Sequence, residues 1–114
     1  MKLRNLLVAG VLAVGVVGAA QAADARLFVH HEVADYGAWR KVFDGFAPTQ
    51  KKLGVIDSAV YQTAGNANDV TVIHDFHSPE AAKAFVASPE LKAAMEKAGV
   101  KGAPQIWITT KSAK

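Results

Sequence analysis

Arg26-Leu27-Phe28-Val29-His30-His31-Glu32-Val33 is the stretch on which the fold turns. Its β-branched and aromatic content is that of a strand. Side chains alternate between the faces of a strand, so Leu27, Val29, His31 and Val33 share one side and Phe28, His30 and Glu32 the other. Immediately afterwards Asp35 is placed to cap a helix. Tyr36, Trp39, Phe43, Phe46, Gln50 and Leu53 then recur at alternating spacings of three and four, one stripe of that helix, with Lys41, Asp44, Lys51 and Lys52 away from it. Pro48 falls inside the pattern and removes the bond to the carbonyl of Asp44, which predicts a kink or break. Gly54 closes the helix in a left-handed conformation.

Downstream, residues 55–64 and 70–76 read as strands joined by Gly65-Asn66-Ala67-Asn68-Asp69, a hairpin connection somewhat longer than the tightest kind. Two near-copies follow, Ser78-Pro79-Glu80 and Ser88-Pro89-Glu90. Each supplies a capping hydroxyl, a proline at the first helical position and an acid near the positive end of the helix dipole. Two short helices therefore start ten residues apart, the second ending at Gly99, and residues 105–111 form a last strand.

The order β-α-β-β-α-α-β is that of a ferredoxin-like, α+β fold. Right-handed crossovers put the first and third strands in the middle of a four-stranded antiparallel sheet. Helices cover only the face with Leu27, Val29, Val33, Val70, Val72, Ile106 and Ile108. The other face presents Phe28, Ala59, Tyr61, Ile73 and Trp107, and an aromatic patch of that size marks a contact surface. A second copy is the simplest cover, which predicts a homodimer with sheets face to face.

Upstream, Lys2 and Arg4 precede an uncharged run over residues 6–20, and Ala20-Gln21-Ala22 places small residues where a signal peptidase inspects them. The expectation is a signal peptide over residues 1–22 cut before Ala23, a single domain over 23–114, and a periplasmic or secreted protein. The run is shorter than the ~20 apolar residues of a spanning helix, so no membrane association is expected after cleavage. The 114-residue chain has no cysteine, so a lipid anchor and disulfides are both excluded. A small domain then relies on packing or oligomerisation. Losing Lys2 and Arg4 lowers the formal net charge from +3 to +1, which leaves no basic stripe for nucleic acid. No nucleophile elbow, phosphate loop or dinucleotide fingerprint is present, and Gly99-Val100-Lys101-Gly102 reads as a helix cap and turn.

His31-Glu32-Val33-Ala34-Asp35-Tyr36-Gly37-Ala38-Trp39, then Phe43-Asp44 and Gly54-Val55, resemble the opening of small antibiotic biosynthesis monooxygenase-like proteins. Val70-Thr71-Val72, Ala84-Phe85, Ser88-Pro89-Glu90-Leu91 and Ala98-Gly99-Val100 with Pro104 extend the resemblance over essentially the whole of residues 23–114. It implies a dimeric α+β barrel, two ferredoxin-like units whose sheets close on each other. The superfamily includes cofactor-free oxygenases acting on phenolic polycycles, haem-degrading enzymes and polyketide cyclases, so fold transfers further than function. No cofactor is expected for this chain.

His31 is out of place among Leu27, Val29 and Val33. It reads as a general base or polar anchor in a cavity between sheet and helix, or as a buried imidazole satisfied by a backbone carbonyl or by Tyr36. His74 shares a face with Val70, Val72 and Phe76, so the two histidines are candidate catalytic groups if the strands bring them to one pocket. Tyr36, Trp39 and Phe43 are the candidate substrate-binding side chains, although an aromatic helix stripe is equally a core. Phe28, Tyr61, Ile73 and Trp107 are the candidate dimer interface. His30, His31, His74, His77, Glu32 and Asp75 include enough ligand types for zinc. Their spacing argues against a metal, because adjacent His30 and His31 point to opposite faces. Two functions remain: a homodimer binding a small apolar or aromatic molecule in a sheet–helix cavity, and a cofactor-independent monooxygenase or cyclase using His31 as acid or base.

Overall fold

The computed structural model describes residues 23–113, so the expected signal peptide lies outside the described residues. Its elements are β1 (Ala25–Val33), α1 (Tyr36–Lys52), β2 (Asp57–Thr63), β3 (Asn66–Phe76), α2 (Pro79–Val86), α3 (Pro89–Lys97) and β4 (Val100–Thr110). They form one four-stranded antiparallel sheet in the order β2-β3-β1-β4, with β1 and β3 central as the crossover rule requires.

Local chemistry fixes each helix end. Asp35 accepts a hydrogen bond from the Ala38 N–H at 2.8 Å, and Asn68, reaching over from β3, accepts the Tyr36 N–H at 2.8 Å. Gly54, at φ +105°, turns the chain after the last residue of α1. The Ser78 and Ser88 hydroxyls accept the N–H groups of Ala81 and Leu91, each ahead of a proline and a glutamate. Ser88 also donates to the carbonyl of Phe85 at 2.8 Å, tying α2 to α3.

Three sequence expectations are corrected. α1 runs unbroken through Pro48, which lies on the exposed side, where water can satisfy the carbonyl it deprives of a partner. The hairpin turn is only Ala64-Gly65, because Asn66, Ala67, Asn68 and Asp69 belong to β3 and a register shift after Gln62 absorbs Ala67, Asn68 and Asp69 on that strand. β4 starts at Val100 rather than at residue 105. Gly102, at φ +69°, sits in a bulge between the pairs His30–Gln105 and Glu32–Lys101, and is not part of a cap.

All the helices lie on one face. There Leu27, Val29, Val33, Val70, Val72 and Phe76 pack beneath Trp39, Phe85, Ala82, Leu91 and Ala98. Ile106 and Ile108 join this core from the edge strand, where they are only half-buried. On the other face the register aligns Ala59, Ile73, Phe28 and Trp107 in one row across the four strands. Phe28 and Trp107 stack with centroids 5.3 Å apart and planes 5° from parallel. Trp107 is 47% and Tyr61 58% exposed in the single chain.

Candidate functional site

A cavity of about 40 Å³ lies between the sheet and the helices. Its floor is Val29 and His31 of β1 and Val72 and His74 of β3. Its roof is Trp39, Val42, Phe43, Phe46 and Gln50 of α1, with Phe85 of α2 and Leu91, Ala94 and Met95 of α3 completing the walls. Both candidate histidines are thus in one cavity, together with the expected Trp39 and Phe43. Tyr36 is not one of its walls. It stacks on the outer side of Trp39 at 5.6 Å, and its hydroxyl accepts from Arg40.

Period-two alternation in β1 points His31 into the helical layer, and it is only 5% exposed. Nδ1 and Nε2 are both buried and without a hydrogen-bond partner, so neither the backbone-carbonyl reading nor the Tyr36 reading holds. Its nearest ring is Trp39, edge-on at 5.8 Å. Burial, aided by the neighbouring His30, pushes the imidazole down to about 4, so it is neutral at ordinary pH. A neutral imidazole carries one donor and one acceptor. Here neither meets a protein partner among the described residues.

His74 is 3% exposed and, through burial, likewise down to about 4. Its Nδ1 lies 2.7 Å from the Ser58 Oγ, and its ring stacks with Phe43 at 6.1 Å and meets Phe85 edge-on at 5.2 Å. The two histidines are not level. His31 pairs with Val70 and His74 with Leu27, four residues along β3 or roughly 13 Å at strand rise. The stacked rings of Trp39 and Phe43, 4.9 Å apart, bridge the interval. No proton passes directly between imidazoles so placed, so they are two polar points at separate ends of one aromatic cavity.

Ser58 was not singled out from the sequence. Alternation alone puts it on the inner face of β2, but pairing it with His74 requires the register shift after Gln62, which carries no sequence mark. Phe46 and Gln50 were visible as members of the helix stripe, without anything to separate them from ordinary core. On the opposite face His30 is fully engaged: Nε2 lies 2.8 Å from Asp69 and Nδ1 2.8 Å from Gln105, while Thr63 donates to Asp69 at 2.7 Å. These contacts, the Gln105 carbonyl oxygen first, raise its pKa. His30 and His31 on opposite faces cannot share an ion, and among the described residues no group of three or more acidic or histidine side chains converges on a metal position.

No family model matches the sequence, and neither does any curated protein. Solved structures do match. A putative antibiotic biosynthesis monooxygenase from Bordetella bronchiseptica superposes with a TM-score of 0.69 at 11% identity, covering 80% of this chain and 99% of that one. The fold is that of the antibiotic biosynthesis monooxygenase-like proteins. SnoaB, a cofactor-independent oxygenase from Streptomyces nogalater, gives 0.66 at 13% identity over 82% of this chain and 97% of its own. A monooxygenase from the gene ActVA-Orf6 of Streptomyces coelicolor, in complex with the ligand nanaomycin D, gives 0.59 at 16% identity over 81% and 90%. The ferredoxin-like α+β protomer expected from the resemblance is therefore present, and identities this low speak for the fold alone.

Proposed function

We propose that this chain is an exported homodimer that binds a small aromatic or apolar molecule between helices and sheet, with His31 as its polar anchor. The observation that carries the reading is the pair of unpaired ring nitrogens on His31. Buried polar groups are nearly always partnered, and the rest of the wall is aromatic or aliphatic apart from Gln50 and His74. That is the chemistry of a ligand pocket, apolar with a few placed polar groups. At about 40 Å³ the cavity is smaller than the ~150 Å³ that holds a benzene ring. A ring-sized guest therefore has to displace a wall side chain. The sheet face bearing Phe28, Tyr61, Ile73 and Trp107 would be covered by the same face of a second copy, since it is too apolar to leave in water on so small a domain.

Binding is tested with a pair of probes, 4-fluorobenzyl alcohol and 4-fluorotoluene, followed by ¹⁹F NMR. The alcohol offers a hydroxyl to His31, and a His31→Leu variant should weaken its affinity roughly tenfold while leaving the toluene unaffected. Equal effects on both probes, or no binding of either, would sink the proposal. A second reading rests on the fold shared with SnoaB and the nanaomycin D-binding monooxygenase: a cofactor-independent monooxygenase or cyclase in which neutral His31, beside Trp39 and with His74 at the far end, accepts a proton. It requires that His31→Ala abolish turnover of a phenolic or quinol substrate and leave the dimer intact.

A further inference from the structure

The cavity has an outer neighbour. Between α1 and α3 runs an open groove of about 560 Å³, lined by Lys41, Gly45, Thr49, Glu90, Ala93 and Lys97. Three further side chains, Val42, Phe46 and Ala94, line both the groove and the His31 cavity, so they form the partition between them. Of the three only Phe46 is large. Its ring is half-buried and its aromatic neighbour Phe85 is a loose one, tilted at 6.5 Å, in contrast to the tight Trp39–Phe43 stack at 4.9 Å. Turning Phe46 outward about its Cα–Cβ bond would join the small cavity to the large groove, leaving the sheet and the Trp39–Phe43 pair where they are.

Gly45 supplies an independent observation. It lies in the middle of α1, where glycine is a poor helix former. Glycine at such a place is ordinarily explained by a close approach, yet a Cβ built there meets nothing within 4 Å. What the missing side chain leaves open is the groove, directly beside Phe46.

We propose that the groove between α1 and α3 is the entrance to the His31 cavity, that Gly45 keeps this entrance open, and that Phe46 is the specificity-determining side chain that sets the size of molecule admitted. The assignment rests on the ligand-binding reading above. It selects single-ring aromatic molecules, because a turned Phe46 vacates the space of one phenyl ring. The competing route runs between α1 and β2, past Phe43 and Gln50, where a second surface pocket also borders the cavity.

The test is ¹⁹F exchange spectroscopy of 4-fluorobenzyl alcohol with three variants. Phe46→Ala should raise association and dissociation rates together by about tenfold or more, as removal of a gate does, and should admit a two-ring probe, 6-fluoro-2-naphthylmethanol. Gly45→Trp, whose Cβ would meet nothing within 4 Å, should slow both rates with little change in affinity, circular dichroism checking that the fold is kept. Ala47→Trp, placed over the α1–β2 pocket, should leave the rates unchanged. If the probe binds but Ala47→Trp slows it and Gly45→Trp does not, the entrance is on the other side of α1 and the proposal is wrong, with the ligand site intact. If no variant, Phe46→Ala included, binds the probe at all, the ligand-binding reading falls with it.

Discussion

Replacing His31 by leucine should make the protein more stable, most of all in mild acid. The imidazole has both nitrogens buried and unpaired, and an unsatisfied buried polar group costs about 1–3 kcal/mol. Leucine fits an environment of Val29, Trp39 and Val72 without that penalty, so a gain of about 1–3 kcal/mol is expected near pH ~7. In a domain of this size each kcal/mol moves Tm by roughly 4–8 °C. A second effect comes from titration. His31 and His74 sit at about 4 in the folded chain against an ordinary value of 6.5. The unfolded chain therefore binds more protons between those values, and stability falls as pH drops through that window. From about pH 7 to about pH 5 the loss is about 2 kcal/mol per histidine, or about 4 kcal/mol for the two, against a typical domain stability of 5–15 kcal/mol. His30 works in the opposite sense, because its raised folded value contributes stability that is present in acid and lost as pH rises through it. It is the more exposed group, and its share is correspondingly screened.

Urea unfolding followed by far-ultraviolet circular dichroism, at about pH 7 and about pH 5 and at fixed protomer concentration, separates the two effects. The wild type should lose up to about 4 kcal/mol between the two conditions, less the opposing share of His30, and His31→Leu about 2 kcal/mol less than the wild type. A destabilised His31→Leu at neutral pH would mean that the imidazole has a partner after all, and the anchor role argued above would lose its basis. An undiminished acid loss in the variant would refute the assignment of half that loss to His31.

Three further outcomes follow from other residues. Ser58→Ala removes the partner of the His74 Nδ1 and should destabilise by about 1–3 kcal/mol, read from the same urea midpoints. Gly45→Ala adds a helix-favouring side chain in open space and should stabilise by about 0.5–1 kcal/mol. Trp107→Glu places a charge at the β4 end of the uncovered sheet row, against Phe28, and should turn the proposed dimer into monomer in sedimentation velocity, and a wild type that sediments as a monomer would remove the dimer from the proposal.

What the sequence could reveal followed from periodicity. The alternation in β1, the three-and-four stripe of α1 and the paired Ser-Pro-Glu starts of α2 and α3 each have a local physical cause, and each element is found where that cause puts it. The sheet order followed because chirality leaves few alternatives. The misses share a different origin. The two-residue turn at Ala64-Gly65 and the bulge at Gly102 depend on register, a property of two strands at once, so neither strand's own residues declare it. The Pro48 break was wrong because an exposed carbonyl can turn to water, a circumstance the one-dimensional pattern does not contain. The site was half-legible for the same reason. His31 declared itself by breaking the apolar pattern of its face, whereas Ser58 became a partner of His74 only through a shifted register.

The isolation of His31 is built by what surrounds it. Several polar side chains in this part of the fold are committed elsewhere: the Tyr36 hydroxyl accepts from Arg40, Asn68 caps α1, and Asp69 holds His30 on the opposite face. Even the ladder loosens there, since the β4 bulge leaves His31 paired with β3 alone while His30 and Glu32 on either side pair with both neighbours. Were stability the sole requirement, an aliphatic residue would serve better at that position, because it would keep the apolar pattern of Leu27, Val29 and Val33 and leave no donor or acceptor stranded. Local rules of patterning and polar satisfaction hold almost everywhere else among the described residues, and places where they fail together are where function is expected. The same logic applies to Gly45, which breaks the helix-propensity rule where nothing crowds it. The two exceptions lie on either side of the Phe46 partition, one in the cavity and one in the groove. The proposed admission of a small aromatic guest to a polar anchor would account for both.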